Sequence, residues 1–290
     1  MGSKASAFCP GHITAFFEIC ENEDILKKGS RGAGLCLSRG VIAQVEVERA
    51  ENLNITVNID GSRIEDSVTE LAIRRMLEDE KLRVTVESEN QLPVSQGFGM
   101  SGAGALSSVV ALNEAVGSSR TIEELVQIAH AAEVRSRTGF GDVYPQTLGG
   151  MDIRKRPGAP PFGEIEKHVV ERELVLCVLG KKMRTKDLLQ DEETVQRINR
   201  FGSDCIESIV QTPTLERLFS LGRDFSIKSG LASERIVKAI EDCEAYGSAG
   251  MSMLGNSVFA IGDTDNLAKT LERYGIVIEC RVENLGVRAI

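Results

Sequence analysis

Residues 93–111 read PVSQGFGMSGAGALSSVVA. A turn with glycines at 97, 99, 102 and 104 runs straight into an apolar stretch of helical character. Glycines let a backbone come close to a ligand. The helix that follows would aim its free N–H groups and the positive end of its dipole at that ligand. Such a turn can cradle phosphates without many lysines, and it points to a nucleotide-handling enzyme.

Three phosphate loops compete for this pattern. A Walker loop ends in Gly-Lys-Ser/Thr, and none follows here. The dinucleotide fingerprint G-x-G-x-x-G matches at Gly97, Gly99 and Gly102, but it should follow a buried apolar strand. Residues 89–93 are instead polar and end in a proline. The next acidic residue, Glu114, falls on the predicted helix rather than after a second strand. The third loop is a kinase pattern, Pro-x-x-x-Gly-Leu-Gly-Ser-Ser-Ala. Pro93, Gly97, Phe98, Gly99, Met100, Ser101, Gly102 and Ala103 occupy its places, with Gly104 following. Glycines that served helix packing alone would need neither the proline four residues ahead nor the serine at the helix start.

Two further segments flank this loop in order. Residues 9–18 read CPGHITAFFE, and residues 247–256 read GSAGMSMLGN. With all three, the sequence resembles the GHMP kinases over nearly its whole length. Within them it is most similar to the archaeal pantoate kinases, through residues 10–17, residues 29–34 (GSRGAG) and Gly149-Gly150 followed by Ile153-Arg154. The resemblance implies a two-lobed α+β fold with ATP in the cleft between lobes. It also implies phosphorylation of the primary hydroxyl of pantoate to 4-phosphopantoate, on the way to coenzyme A. Kinases for homoserine, mevalonate or shikimate are the neighbouring readings. A non-catalytic nucleotide or small-acid sensor, and a NAD-dependent oxidoreductase, are the rivals from other classes.

The resemblance also carries residue roles. Asp142, in Gly139-Phe140-Gly141-Asp142, corresponds to the aspartate that takes the hydroxyl proton; as a bare sequence it could equally be a turn residue after glycine. Ser101 and Glu133 correspond to the Mg²⁺ ligands and complete the catalytic set. Both offer the hard oxygens that Mg²⁺ prefers, though Ser101 also suits a plain helix N-cap. Pro93, Gly97, Gly99, Met100, Ser101, Gly102, Ala103 and Gly104 would bind ATP. His12, Ser30, Arg31, His130, Arg154 and Thr185 are the substrate candidates. Arg154 offers a fork for a carboxylate, and Arg31 competes for that part. His12 stands where relatives often carry Lys or Arg, which leaves open whether a positive charge is kept there. The basic run at 181–186 reads as a solvated loop or as an edge of the phosphate site.

Composition narrows the field. The chain has 290 residues, a net charge of −9 and only 4% aromatics. That charge argues against nucleic acid, whose recognition wants basic patches. Seven cysteines without a Cys-x-x-Cys pair suit a reduced, cytoplasmic protein. No apolar run approaches the length of a membrane helix, and the N-terminal residues do not form a convincing signal peptide. A homodimer is left open.

Periodicity places the elements. Strands are expected at 6–19, 41–47, 55–59 and 82–87, and a helix at 67–79. Thr121 and Glu124 have the look of a capping box opening a helix to about 135. The Pro/Gly-rich residues 157–163 mark a lobe boundary, giving an N-terminal lobe at 1–156 and a C-terminal lobe at 157–290. The second half alternates strands at 174–179, 257–261 and 277–282 with helices over much of 185–246 and at 266–274. That order points to a ferredoxin-like second lobe.

Overall fold

The first sheet is organised by its two longest strands. In the computed structural model, which describes residues 2–180 and 191–290, β1 (Ser3–Cys20) and β2 (Gly29–Arg49) run antiparallel. Their register shifts at Pro10/Gly11 and again at Thr14/Phe16. Such irregularities bend a strand, and here the pair changes partners at the bend. Residues 41–49 of β2 pair with β5 (Leu82–Asn90), whereas residues 32–35 pair with β6 (Met151–Arg156). His12 and Thr14 sit in this corner. β3 (Asn54–Ile59) lies parallel to β5 and carries the short β4 (Ser62–Arg63). β7 (Glu164–His168) extends β6, and β12 (Arg288–Ala289) closes the edge beside β1.

Three helices cover this sheet: α1 (Val68–Leu77), α2 (Met100–Ala115) and α3 (Ile122–Ser136). α2 packs on β1 and β2 and against both other helices. Every residue of α2 except Ser101 and Glu114 is buried. A helix that is apolar on all sides belongs inside, and its Gly, Ala and Ser residues let sheet and helices approach. The capping box of α3 is present, with Thr121 and Glu124 each bonding the other's backbone N–H. A short α4 (Pro145–Leu148) leads into β6.

The second sheet has the strand order β11-β8-β10-β9, all antiparallel, from β8 (Glu173–Val178), β9 (Gly247–Met251), β10 (Ser257–Gly262) and β11 (Ile276–Arg281). Helices α5 (Glu192–Gln211), α6 (Leu215–Lys228) and α7 (Glu234–Cys243) separate β8 from β9, and α8 (Thr264–Leu271) separates β10 from β11. This is the ferredoxin-like arrangement, so the fold is α+β with two lobes. Residues 157–163 form the β6–β7 connection inside the first sheet. The chain passes to the second sheet between His168 and Glu173, later than the 156/157 division read from composition.

The lobes share one apolar core. Phe17 of β1 meets Phe225 of α6 edge-on with ring centres 5.8 Å apart. Gly202 lies so close to β1 that a Cβ there would stand 2.1 Å from the Phe17 carbonyl oxygen. No helix among the described residues is long and apolar enough to cross a membrane. The seven cysteines are free thiols, all buried except the half-buried Cys20.

Leu106, at the centre of α2, is fully buried. Leu106→Ala should cost about 2–5 kcal/mol of stability, read as a lower midpoint of urea unfolding. An unchanged midpoint would show that α2 is not the centre of the core.

Candidate active site

The glycine-rich loop is held open by backbone geometry. Gly97 and Gly99 have φ of 78° and 64°, in the left-handed region that favours glycine. A Cβ on Gly99 would come within 3.0 Å of Gln146 Nε2 and 3.3 Å of His12 Cβ. Gly99 is the N-cap of α2, and no side chain caps that end. The first N–H groups of the helix are therefore left for a ligand. They open on a cleft of about 1260 Å³ whose walls include residues 93–101, Thr14, Ser30, Glu133, Asp142 and Met253.

Three segments that are far apart in sequence lock together around this loop. His12 N donates to Phe98 O at 3.0 Å, and Met253 N donates to Thr14 O at 3.0 Å. Ser257 Oγ donates to Gln96 O at 2.5 Å, and Gln96 Nε2 donates to Gly180 O at 3.1 Å. From α4, Gln146 Nε2 donates to Gly99 O at 3.0 Å. The glycine-rich residues 247–256 thus divide into strand β9 and a turn that braces the loop.

Asp142 stands in the cleft wall with its side chain 26% exposed. Its Oδ1 meets His12 Nδ1 at 2.8 Å and accepts from Thr14 Oγ1 at 3.4 Å. On the far side of the ring, His12 Nε2 lies 2.6 Å from Asp152 Oδ1. The imidazole is fully buried. Burial alone would lower its pKa, but the charges and hydrogen bonds of Asp152 and Asp142 outweigh that and raise it to about 9. His12 is therefore a cation at neutral pH. Burial pushes Asp142 upward, and the His12 bond and charge, with Arg154 and Thr14, more than reverse it, holding Asp142 below its ordinary range. A positive charge is thus placed beside Asp142 by an imidazolium.

Glu133 of α3 is buried, and its Oε2 has no hydrogen-bond partner. Cβ atoms on Gly139 and Gly102 would come within 2.5 Å and 3.0 Å of its Oε1, so two glycines make room for this carboxylate. Burial, then the charge of Asp142, raise its pKa to about 8 against the opposing charge of His12. Ser101 opens α2 next to Gly102 and donates to Thr138 Oγ1 at 3.3 Å. An orphaned buried carboxylate oxygen beside a helix-start hydroxyl fits a hard divalent cation.

The substrate candidates separate into groups. Ser30 lines the cleft and packs against Gly141, where a Cβ would be 2.3 Å from its hydroxyl. Arg154 is buried beneath the same segment, donating to Gly141 O at 3.2 Å and to Thr14 Oγ1 at 3.1 Å. Its Nε has no hydrogen-bond partner and lies 3.7 Å from Asp152 Oδ2. Arg31 turns away to pair with Glu18 and reaches Ser203 Oγ at 3.4 Å. His130 Nε2 lies 2.9 Å from Lys28 O and 3.2 Å from Ile25 O, tying α3 to the β1–β2 connection. Burial lowers its pKa. Thr185 and the basic run at 181–186 lie outside the described residues. Asp152, Thr14, Gln146 and Arg137 were not singled out from the sequence. A strand in which charged Asp152 and Arg154 alternate with Met151 and Ile153 was the signal that could have found the first. Arg137 is the one Lys or Arg among the described residues lining the cleft.

Comparison with known proteins gives one family. The profile of the GHMP kinases N terminal domain matches residues 67–150. A pantoate kinase of Methanocaldococcus jannaschii is 34% identical over 282 residues, covering 95% of this chain and 99% of the relative. A pantoate kinase of Thermococcus kodakarensis is 34% identical over 263 residues, covering 88% and 86%. A solved structure described as a phosphotransferase related to the CoA biosynthesis pathway superposes with a TM-score of 0.89 at 27% identity, over 99% of this chain and 98% of that one. The chain belongs to the GHMP kinase family.

Proposed function

We propose that this chain is an ATP-dependent kinase that phosphorylates the primary hydroxyl of pantoate, giving 4-phosphopantoate and ADP. The observation that carries the reading is Asp142, held by His12 and Thr14 in the same cleft as the uncapped start of α2. Phosphoryl transfer needs a positioned base, an anion cradle and charge neutralisation. Both bonds to Asp142 fall on Oδ1, so Oδ2 is the oxygen that takes the hydroxyl proton. The α2 N-terminus and the loop glycines hold the phosphates. Glu133 and Ser101 would hold Mg²⁺, which when bound neutralises charge on the transferring group.

The choice of pantoate rests on the names of the relatives and on the chemistry at the acid end of the cleft. Ser30 offers a hydroxyl, and Arg154 sets the backbone of Gly141 beside it. Phe17, Met253 and Leu254 give an apolar wall suited to the two methyl groups of pantoate. Seven free thiols suit a reducing compartment such as the cytoplasm.

Coupled ADP release with Mg-ATP over pantoate, homoserine, mevalonate and shikimate tests the reading. Turnover on pantoate alone is expected. Turnover on another acid would keep Asp142 and remove pantoate, whereas ATP binding without turnover on any acid would favour a sensor. Asp142→Asn should lower kcat by about 10²-fold or more with the melting temperature little changed; near-normal kcat would remove Asp142 as the base. Arg154→Ala should raise KM for the acid more than KM for ATP and also lower kcat, because Gly141 loses its anchor. Equal effects on both substrates would count against that role. The pH profile follows from the two shifts. The His12 cation is present below about 9 and lost above it, while Asp142 stays ionised to below the usual carboxylate range. Activity should therefore decline as pH rises through about 9, and a flat profile through that region would argue against a cationic His12.

A further inference from the structure

Asp152 lies behind the site, 1% exposed and outside the cleft wall. Alternation along β6 explains how a carboxylate comes to be there. Asp152 and Arg154 share one face of the strand, while Met151 and Ile153 pack into the core on the other. Asp152 stands opposite Gly34 in the β2–β6 ladder. A Cβ on Gly34 would come within 2.6 Å of His12 Nε2, so the ring is pressed against backbone on that side. It has little room to turn without giving up a carboxylate.

An imidazole with one carboxylate at each nitrogen bonds both only when it carries two N–H groups. With Asp142 alone as its partner, a neutral ring with one proton would be enough. The second carboxylate is what makes the cation the matching form. The charged and titratable groups around the pair are Asp142, Arg154, Glu133 and the buried thiol of Cys36.

We propose that Asp152 is a positioning residue for the transfer reaction, fixing the second N–H of His12 so that Nδ1–H stays on Asp142 Oδ1 and Asp142 Oδ2 is left for the substrate hydroxyl. The inference rests on Asp142 being the base. The hydroxyl proton goes to Asp142 Oδ2, and His12 keeps both of its protons. The 3.7 Å approach of Asp152 Oδ2 to Arg154 Nε links the same carboxylate to the guanidinium that anchors Gly141. A residue that only braced β6 would cost stability without changing the protonation of the ring.

With three histidines in the chain, ¹⁵N NMR of the imidazoles can follow His12 directly. In the wild-type protein both His12 nitrogens should be protonated at pH 7. In Asp152→Asn the titration midpoint should fall by about one unit or more, and the alkaline limb of kcat should move down with it. At pH 8 kcat should drop about twofold or more, with KM for ATP little changed. In a His12→Lys background, whose ammonium starts from a pKa of about 10.4 and keeps Asp142 as its partner, Asp152→Asn should not bring the limb down into the pH 7–8 range. A neutral His12 in the wild-type protein at pH 7 would overturn the proposal, even if the variant fails to fold. So would an unmoved midpoint in a folded Asp152→Asn protein. Because the NMR reading needs no turnover, failure to phosphorylate pantoate would sink the pantoate assignment separately.

Discussion

The site depends on a buried imidazolium held between two carboxylates. A charge removed from water must be paired and hydrogen-bonded or it is given up. His12 meets that condition with Asp142 on one nitrogen and Asp152 on the other. Arg154 brings a second cation to the same cluster, so two positive and two negative groups offset one another. The arrangement fixes where Asp142 can point. It also explains the bend in β1, because a ladder in regular register would not set His12 and Thr14 against both the loop and β6.

The loop and the charge cluster are parts of one assembly. His12 gives its backbone N–H to the loop and its ring to the Asp142 carboxylate. Thr14 bonds Asp142 and Arg154 through its hydroxyl and receives the β9–β10 turn on its carbonyl. Gln96 joins the loop to Gly180 in the second lobe. Positioning of this kind matters most in phosphoryl transfer, where the protein does little covalent chemistry and must place charges.

Much of this was legible in the sequence, for identifiable reasons. The loop residues 93–104 stood out because glycine and proline encode backbone geometry directly, and the capping box at Thr121 is a local pattern. Three of the four strands of the second lobe followed from clear periodicity, whereas β9 lies in the glycine-rich residues that read as a turn. Strands at 29–39, 151–156 and 164–168 were passed over because glycines and charges mask alternation where a strand lines a site. Residues 157–163 looked like a boundary because a hairpin loop and a linker share the same composition. The pairing of His12 with Asp142 and Asp152 was out of reach, since partners 130 and 140 residues apart meet only through the fold. His12 as a bare letter left its charge open; two carboxylates decide it.

The acidity of the chain bears on how the site works. A protein of net charge −9 binds a polyanion only if the local field is favourable. Among the described residues the cleft wall carries a single basic side chain, Arg137. The uncapped backbone donors at the start of α2 offer a favourable field of their own, at no cost in ordering long side chains when a ligand arrives. The buried cations His12 and Arg154 act on a different charge. They keep Asp142 ionised and aimed, while in the proposed reaction the phosphates would be held by the fixed dipoles of the loop and α2. On that proposal, separating the two tasks would let an acidic surface and an anionic ligand coexist, and the glycines at 97 and 99 would matter to the reaction alongside Asp142.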